Sequence, residues 1–141
     1  MRPTTKAREI RARAWHSDFG IRGIALPDGM FRLLEPLWYP VGDEWNVVPP
    51  GTLTDFASIP RFLWPVFPPT GSYWKAAIVH DWLCIVAKAA KTEAEYRSMA
   101  KHADMVFLDL MTRSGVRWIT RQILFSSVRV AHMAKKWEAP K

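Results

Sequence analysis

Three short segments carry the side chains suited to acid–base or metal chemistry. They are residues 54–60, 80–84 and 102–104. A histidine held by a carboxylate is a competent general base near neutral pH, because the carboxylate fixes the tautomer and stabilises the imidazolium. A second carboxylate beside that pair suits a hard divalent cation, which polarises a carbonyl or phosphoryl oxygen.

The predicted site combines two residues of one helix and one residue of the next with two residues of a loop. Adjacent positions on a helix diverge by roughly 100°, so His80 and Asp81 cannot point the same way, but they can straddle one groove. We predict that Asp104 hydrogen-bonds His80 and that these two form the catalytic pair. We also predict that Asp81 and Asp55 hold a divalent cation, calcium or zinc, and that Ser58 lies beside Asp55.

Each of these residues also has an ordinary structural use. His80 fits a core histidine whose polar atoms are satisfied by Asp104. Asp81 fits an exposed or loop-capping carboxylate, and Asp55 fits a turn cap on the backbone amide of Ser58. Spacing in the sequence leaves the catalytic and the structural interpretation open.

The other histidines and the single cysteine are weaker candidates. Cys84 follows His80 by one helical turn, and the two could share a metal, but two ligands do not make a site. We therefore predict that Cys84 is a small buried hydrophobic residue. His16, His102 and His132 are isolated in the sequence and are expected at the surface or at its boundary. One cysteine excludes an internal disulfide and fits a reducing compartment.

The pattern of turn residues and short apolar runs indicates the secondary structure of the first half of the chain. Between residues 15 and 48, short apolar runs alternate with turn residues, and Pro27-Asp28-Gly29 is the clearest hairpin signal. A small antiparallel sheet is expected there. Residues 49–72 contain six prolines, which exclude a long helix or a central strand. Their many aromatic residues predict an ordered apolar loop.

The helical spacing of apolar residues predicts three helices in the second half of the chain. Together with the sheet expected in the first half, these helices predict the α+β fold class. They are expected at about residues 72–90, 92–112 and 116–137. Thr92 and Glu95 form a capping-box pattern, and Gly115 is a candidate C-cap. The inner face of the third helix is predicted to hold Ile119, Ile123, Leu124, Val128 and Ala131. Its outer face is predicted to hold Arg117, Arg121, Arg129 and Lys136.

The charge of the chain is concentrated at its two ends. Of the net +7, residues 1–15 carry +4 and residues 113–141 carry +6, around a centre of −3. We predict a basic arm at residues 1–14 and a single α+β domain at 15–141. Basic ends favour an anionic partner such as nucleic acid, anionic lipid or an acidic protein surface. A solvated surface that aids solubility is the alternative.

The apolar segments are too short for a membrane-embedded protein. No stretch approaches the roughly eighteen uncharged residues of a spanning helix, so a transmembrane protein is not expected. The basic N-terminus is not followed by an apolar segment, so a secretory signal is not expected either.

Residues 54–61 (TDFASIPR) and 76–83 (AAIVHDWL) together resemble an uncharacterised phage and prophage family, domain of unknown function 1353. The similarity continues through residues 103–107 and the turn at Gly115. This resemblance implies a phage origin and carries no known activity.

Residues 80–84 are also similar to the His-Asp helix of phospholipase A2. That resemblance implies His80 as the base, Asp81 as a calcium ligand and Asp104 as the partner of His80. Cys84 stands at the position of the tyrosine in that motif. The glycine-rich calcium loop has no counterpart here, and Asp55 in the proline-rich loop is expected to substitute for it.

Two functions are therefore expected. The first is a virion-associated protein of the tail or tail tip, found in the virion or the host cytoplasm, whose basic ends bind other phage virion proteins. The alternative is a metal-assisted hydrolase that acts on host envelope lipid or peptidoglycan, with His80 as general base.

Overall fold

A computed structural model describes residues 21–55 and 73–140, together with 4–6, Glu9, Trp15, Leu63 and Pro65. The chain divides into two compact units, Met1–Asp55 and Phe56–Lys141. Most of the predicted basic arm and of the proline-rich loop, including Ser58, lies outside the described residues. The division into an arm at 1–14 and one domain at 15–141 stays a prediction.

The described part of the first unit contains two small antiparallel sheets, where a single sheet was predicted. The strands are β1 (Gly23–Ala25), β2 (Phe31–Leu33), β3 (Leu37–Val41), β4 (Glu44–Val48) and β5 (Leu53–Thr54). One sheet has the order β1-β2-β5, and β3 pairs with β4 in the other. Leu33, Leu37 and Val48 are buried apolar residues of these strands.

The hairpin between β1 and β2 is the one predicted at Pro27-Asp28-Gly29. The backbone N–H of Met30 donates to Asp28 Oδ1 over 3.0 Å. Gly29 has a φ of 84°, a conformation that costs glycine little and other residues more. Ala25 pairs with Phe31 directly beyond the turn. Local turn chemistry thus fixes this register.

The second unit holds three helices in its described part, and the predicted α+β class is confirmed. They are α1 (Trp74–Ala87), α2 (Glu93–Arg113) and α3 (Trp118–Ala134). Helix α2 packs against both α1 and α3. Its fully buried residues Phe107, Leu110 and Met111 form part of the core, together with Leu124 of α3. Within the described residues, no helix combines the length and hydropathy needed to cross a membrane.

Both ends of α2 follow the sequence prediction. The backbone N–H of Glu95 donates to Thr92 Oγ1 over 3.1 Å, and Glu95 Oε2 accepts from the backbone N–H of Lys91 over 3.0 Å. Gly115 closes the other end with a φ of 75°. There the N–H of Val116 donates to the carbonyl of Met111 over 3.0 Å, the long bond of a Schellman motif.

The predicted inner face of α3 is partly wrong. Leu124 and Val128 are buried, but Ile119 is 56% exposed and Ile123 is 37% exposed. The buried row is Thr120, Leu124 and Val128, spaced by four residues. The predicted row 119–123 lies one residue, and so about 100°, away on the helix. Ile119 and Ile123 are as apolar as Leu124 and Val128, and packing against α2 selects the row that is buried.

Replacing the N-cap of α2 tests whether local capping stabilises this unit. We expect Thr92→Ala to lower the free energy of unfolding by about 1 kcal/mol, because the N–H of Glu95 loses its acceptor. Urea denaturation measures the change. Ser98→Ala, at an exposed interior position of the same helix, is the control and should cause no loss. An equal loss in both variants would contradict the capping role.

Candidate active site

The site is built from side chains of all three helices. Helix α1 contributes His80 and Cys84, which are separated by one turn and so lie on the same face. Helix α2 contributes Asp104. Helix α3 contributes Arg129 and His132, three residues apart and also on one face. Because α2 lies against both other helices, Asp104 receives side chains from two directions.

The Asp104 carboxylate is fully buried and accepts three hydrogen bonds. Its Oδ1 accepts from Nε2 of His80 over 2.6 Å. Its Oδ2 accepts from Nη1 of Arg129 and from Nδ1 of His132, each over 2.8 Å. An ionised carboxylate only accepts hydrogen bonds, so both ring nitrogens that face it carry protons. In the neutral form of each ring, the nitrogen without a proton is then Nδ1 of His80 or Nε2 of His132.

These contacts explain how a carboxylate stays ionised in the core. Burial by itself raises the pKa of Asp104, but the hydrogen bonds from His132 and His80 outweigh it and hold the pKa below its ordinary value. The guanidinium of Arg129 supplies the opposite charge. A buried charge with such partners is tolerated, whereas one without them is costly.

His80 is held neutral by its surroundings. Burial lowers the pKa of His80 more strongly than the hydrogen bond to Asp104 raises it. The imidazole packs on Phe107, with ring centroids 4.9 Å apart. A neutral imidazole whose Nδ1 is unprotonated is the state that a general base requires.

Cys84 lies beside both histidines but does not have the character of a nucleophile. Its Sγ is 3.6 Å from Nε2 of His132 and 3.8 Å from Nδ1 of His80. Burial, with additional effects from the charges of Asp81 and Asp104, raises the pKa of the Cys84 thiol to about 12. The thiol is therefore protonated at neutral pH, and the reactive form of a cysteine is the thiolate.

The structure brings His80 and Asp104 together, as predicted. Asp81 is half-buried on α1, and its charge acts on the thiol of Cys84. Asp55 is exposed and follows β5 in the first unit. Ser58 lies outside the described residues. The roles of Asp81 and Asp55 as cation ligands stay predictions.

Sequence reasoning missed two members of the site. His132 was expected at the surface or its boundary, and it is half-buried. Arg129 was expected on the outer face of α3. Neither was predicted to contact Asp104, but both do. The signal was present in the spacing, because the buried row of Thr120, Leu124 and Val128 continues to His132. His102 is exposed, as expected, and His16 lies outside the described residues.

Comparison with known proteins gives a family and no activity. Residues 31–128 match the family described as "Protein of unknown function (DUF1353)". The chain belongs to this family. The residues matched to DUF1353 include His80, Cys84 and Asp104, whereas Arg129 and His132 follow them in the chain. No curated protein and no solved structure matches the chain.

The stability of the second unit should depend on Asp104. We expect Asp104→Asn to lower the free energy of unfolding by about 3 kcal/mol, because Arg129 loses its counter-ion and the amide nitrogen meets hydrogen-bond donors. Asp109→Asn is the control. Asp109 forms an exposed pair with Arg113 on the same helix, and its loss should change stability by no more than about 0.5 kcal/mol. Equal losses in urea denaturation would contradict the account of Asp104.

Proposed function

We propose that this chain is a hydrolase in which His80 activates water, and that its substrate is an ester of host envelope lipid. One observation carries the proposal: Nε2 of the buried His80 donates to Asp104 over 2.6 Å, and an imidazole held by a carboxylate in this way is a competent general base. The similarity of residues 80–84 to the His-Asp helix of phospholipase A2 favours a lipid ester. The protonated thiol of Cys84 favours water over cysteine as the nucleophile.

The proposed reaction uses His80 as base and then as acid. Nδ1 of His80 takes a proton from water while the water oxygen attacks the carbonyl carbon of the ester. The Nε2–H bond to Asp104 is kept throughout, and the carboxylate stabilises the imidazolium that forms. When the tetrahedral intermediate collapses, Nδ1 returns the proton to the alcohol oxygen that leaves. The products are a fatty acid and an alcohol, and His80 is neutral again.

The proposed reaction also has a place for a hard divalent cation, which would be held by Asp81. Asp81 follows His80 directly on α1, and a half-buried carboxylate offers the oxygen ligands that calcium prefers. We propose that Asp81 contributes a ligand to the cation. When bound, the cation would polarise the ester carbonyl.

Hydrolysis of defined vesicles tests the proposed function. We expect the full chain, with calcium, to release fatty acid from phospholipid vesicles. His80→Gln should reduce the rate by at least about 100-fold, the lower end of what a general base contributes. His102→Gln, at an exposed position of α2, is the matched control and should keep the wild-type rate. Circular dichroism establishes that each variant is folded.

Two outcomes would contradict this proposal. A wild-type chain that releases no fatty acid would exclude a lipid substrate, and release of soluble fragments from purified peptidoglycan would then identify the other envelope component. A His80→Gln variant that keeps the wild-type rate would exclude His80 as the base for either substrate.

We also propose a second function, assembly into a phage particle, which is compatible with hydrolysis. The outer face of α3 favours a protein partner, because four of its large apolar side chains are exposed: Trp118, Ile119, Val130 and Met133. Exposed Arg117, Lys135 and Lys136 flank that face. Mass spectrometry of purified particles should detect the chain, and its absence from them would contradict this function.

A further inference from the structure

The proposed hydrolysis leaves two conspicuous side chains unused. Half-buried Cys84 and His132 lie beside the buried His80 in the same cluster. Among the described residues, His80, Cys84 and His132 each offer one ligand atom, and these three atoms lie within 4.8 Å of one another. A thiol and two imidazoles at such separations match a metal site better than an acid–base site.

The distances agree with coordination of one ion. In a tetrahedral zinc site, Zn–S bonds of about 2.3 Å and Zn–N bonds of about 2.05 Å place sulfur and nitrogen about 3.6 Å apart. Sγ of Cys84 lies 3.6 Å from Nε2 of His132 and 3.8 Å from Nδ1 of His80. The sulfur is also 3.7 Å from Nε2 of His80. The thiol must therefore rotate toward Nδ1 for these two atoms to share an ion.

The hydrogen bonds of Asp104 provide an independent argument for the site. Histidine ligands of metals commonly donate their other ring N–H to a carboxylate, which fixes the tautomer and orients the ring. Asp104 accepts such a hydrogen bond from both rings, from Nε2 of His80 and from Nδ1 of His132. Of the two nitrogens that do not face Asp104, Nε2 of His132 lies 3.6 Å and Nδ1 of His80 lies 3.8 Å from the sulfur of Cys84. A single buried carboxylate thus prepares both imidazoles for the same ion.

The ligand chemistry selects the class of metal. Thiolate and imidazole suit zinc and similar transition metals, whereas calcium and magnesium require oxygen ligands. We propose that His80, Cys84 and His132 bind a zinc-class divalent metal, and that the bound metal inhibits hydrolysis. Inhibition follows because the metal occupies Nδ1 of His80, which otherwise accepts the proton of water. The thiol of Cys84 releases its proton to solvent as the metal binds. The inhibition rests on the proposed function, whereas the binding does not.

Cobalt and zinc titrations of the full chain test the binding. We expect one cobalt ion per chain, with the intense near-ultraviolet absorption of a thiolate–cobalt bond, and displacement of cobalt by zinc. Loss of an outer-shell partner already weakens a metal site by about 10- to 100-fold. Loss of a direct ligand should cost no less, so Cys84→Ser and His132→Gln should each weaken zinc binding at least tenfold. His102→Gln is the matched control and should bind as the wild type does.

The absorption spectrum of the cobalt-loaded wild-type chain shows whether Cys84 binds the metal, even if a variant fails to fold. A cobalt complex without thiolate absorption would overturn the site, as would zinc affinities of folded Cys84→Ser and His132→Gln equal to that of the wild type.

For the inhibition, zinc should abolish fatty acid release in excess calcium, and a zinc-selective chelator should restore it. Release that continues with the site filled by zinc would overturn the inhibition. If no fatty acid is released under any condition, the proposed function and the inhibition both fail, while the cobalt spectrum still decides the metal site.

Discussion

The carboxylate of Asp104 is the group on which the rest of the second unit depends. It is fully buried on the central helix α2 and receives donors from α1 and from α3. A buried charge that loses a partner costs several kcal/mol, so the three helices must present His80, Arg129 and His132 at matching heights. This requirement couples the register of each outer helix to α2, in addition to the apolar contacts of Phe107 and Leu124.

The same carboxylate determines the chemistry available to the cluster. By accepting from Nε2 of His80 and from Nδ1 of His132, Asp104 leaves one unprotonated nitrogen on each ring. The nitrogen of His80 can accept a proton from water or coordinate a metal, but it cannot do both at once. Proton transfer and metal binding are therefore alternative uses of one lone pair, and the thiol of Cys84 supplies the ligand that favours the metal.

Features encoded by neighbouring residues could be predicted from the sequence, and features decided by packing could not. The hairpin at Pro27-Asp28-Gly29 and the cap at Thr92 depend on side chains two or three residues apart, so the local sequence suffices. The inner face of α3 cannot be read from the local sequence in this way, because Ile119 and Ile123 are as apolar as Leu124 and Val128, and packing against α2 decides which pair is buried. His132 was missed for that reason: it belongs to the chosen row and meets Asp104 from 28 positions away in the sequence.

The tautomers of the two histidines test this account most directly, since both proposed activities require them. Nitrogen-15 NMR of the imidazoles at about pH 8, above the ordinary histidine pKa of about 6.5, distinguishes protonated from unprotonated ring nitrogens. The account predicts a proton on Nε2 and none on Nδ1 of His80, with the reverse arrangement in His132. Asp104→Asn should disturb both patterns together. A His80 ring protonated on Nδ1 in the wild-type chain would contradict the account.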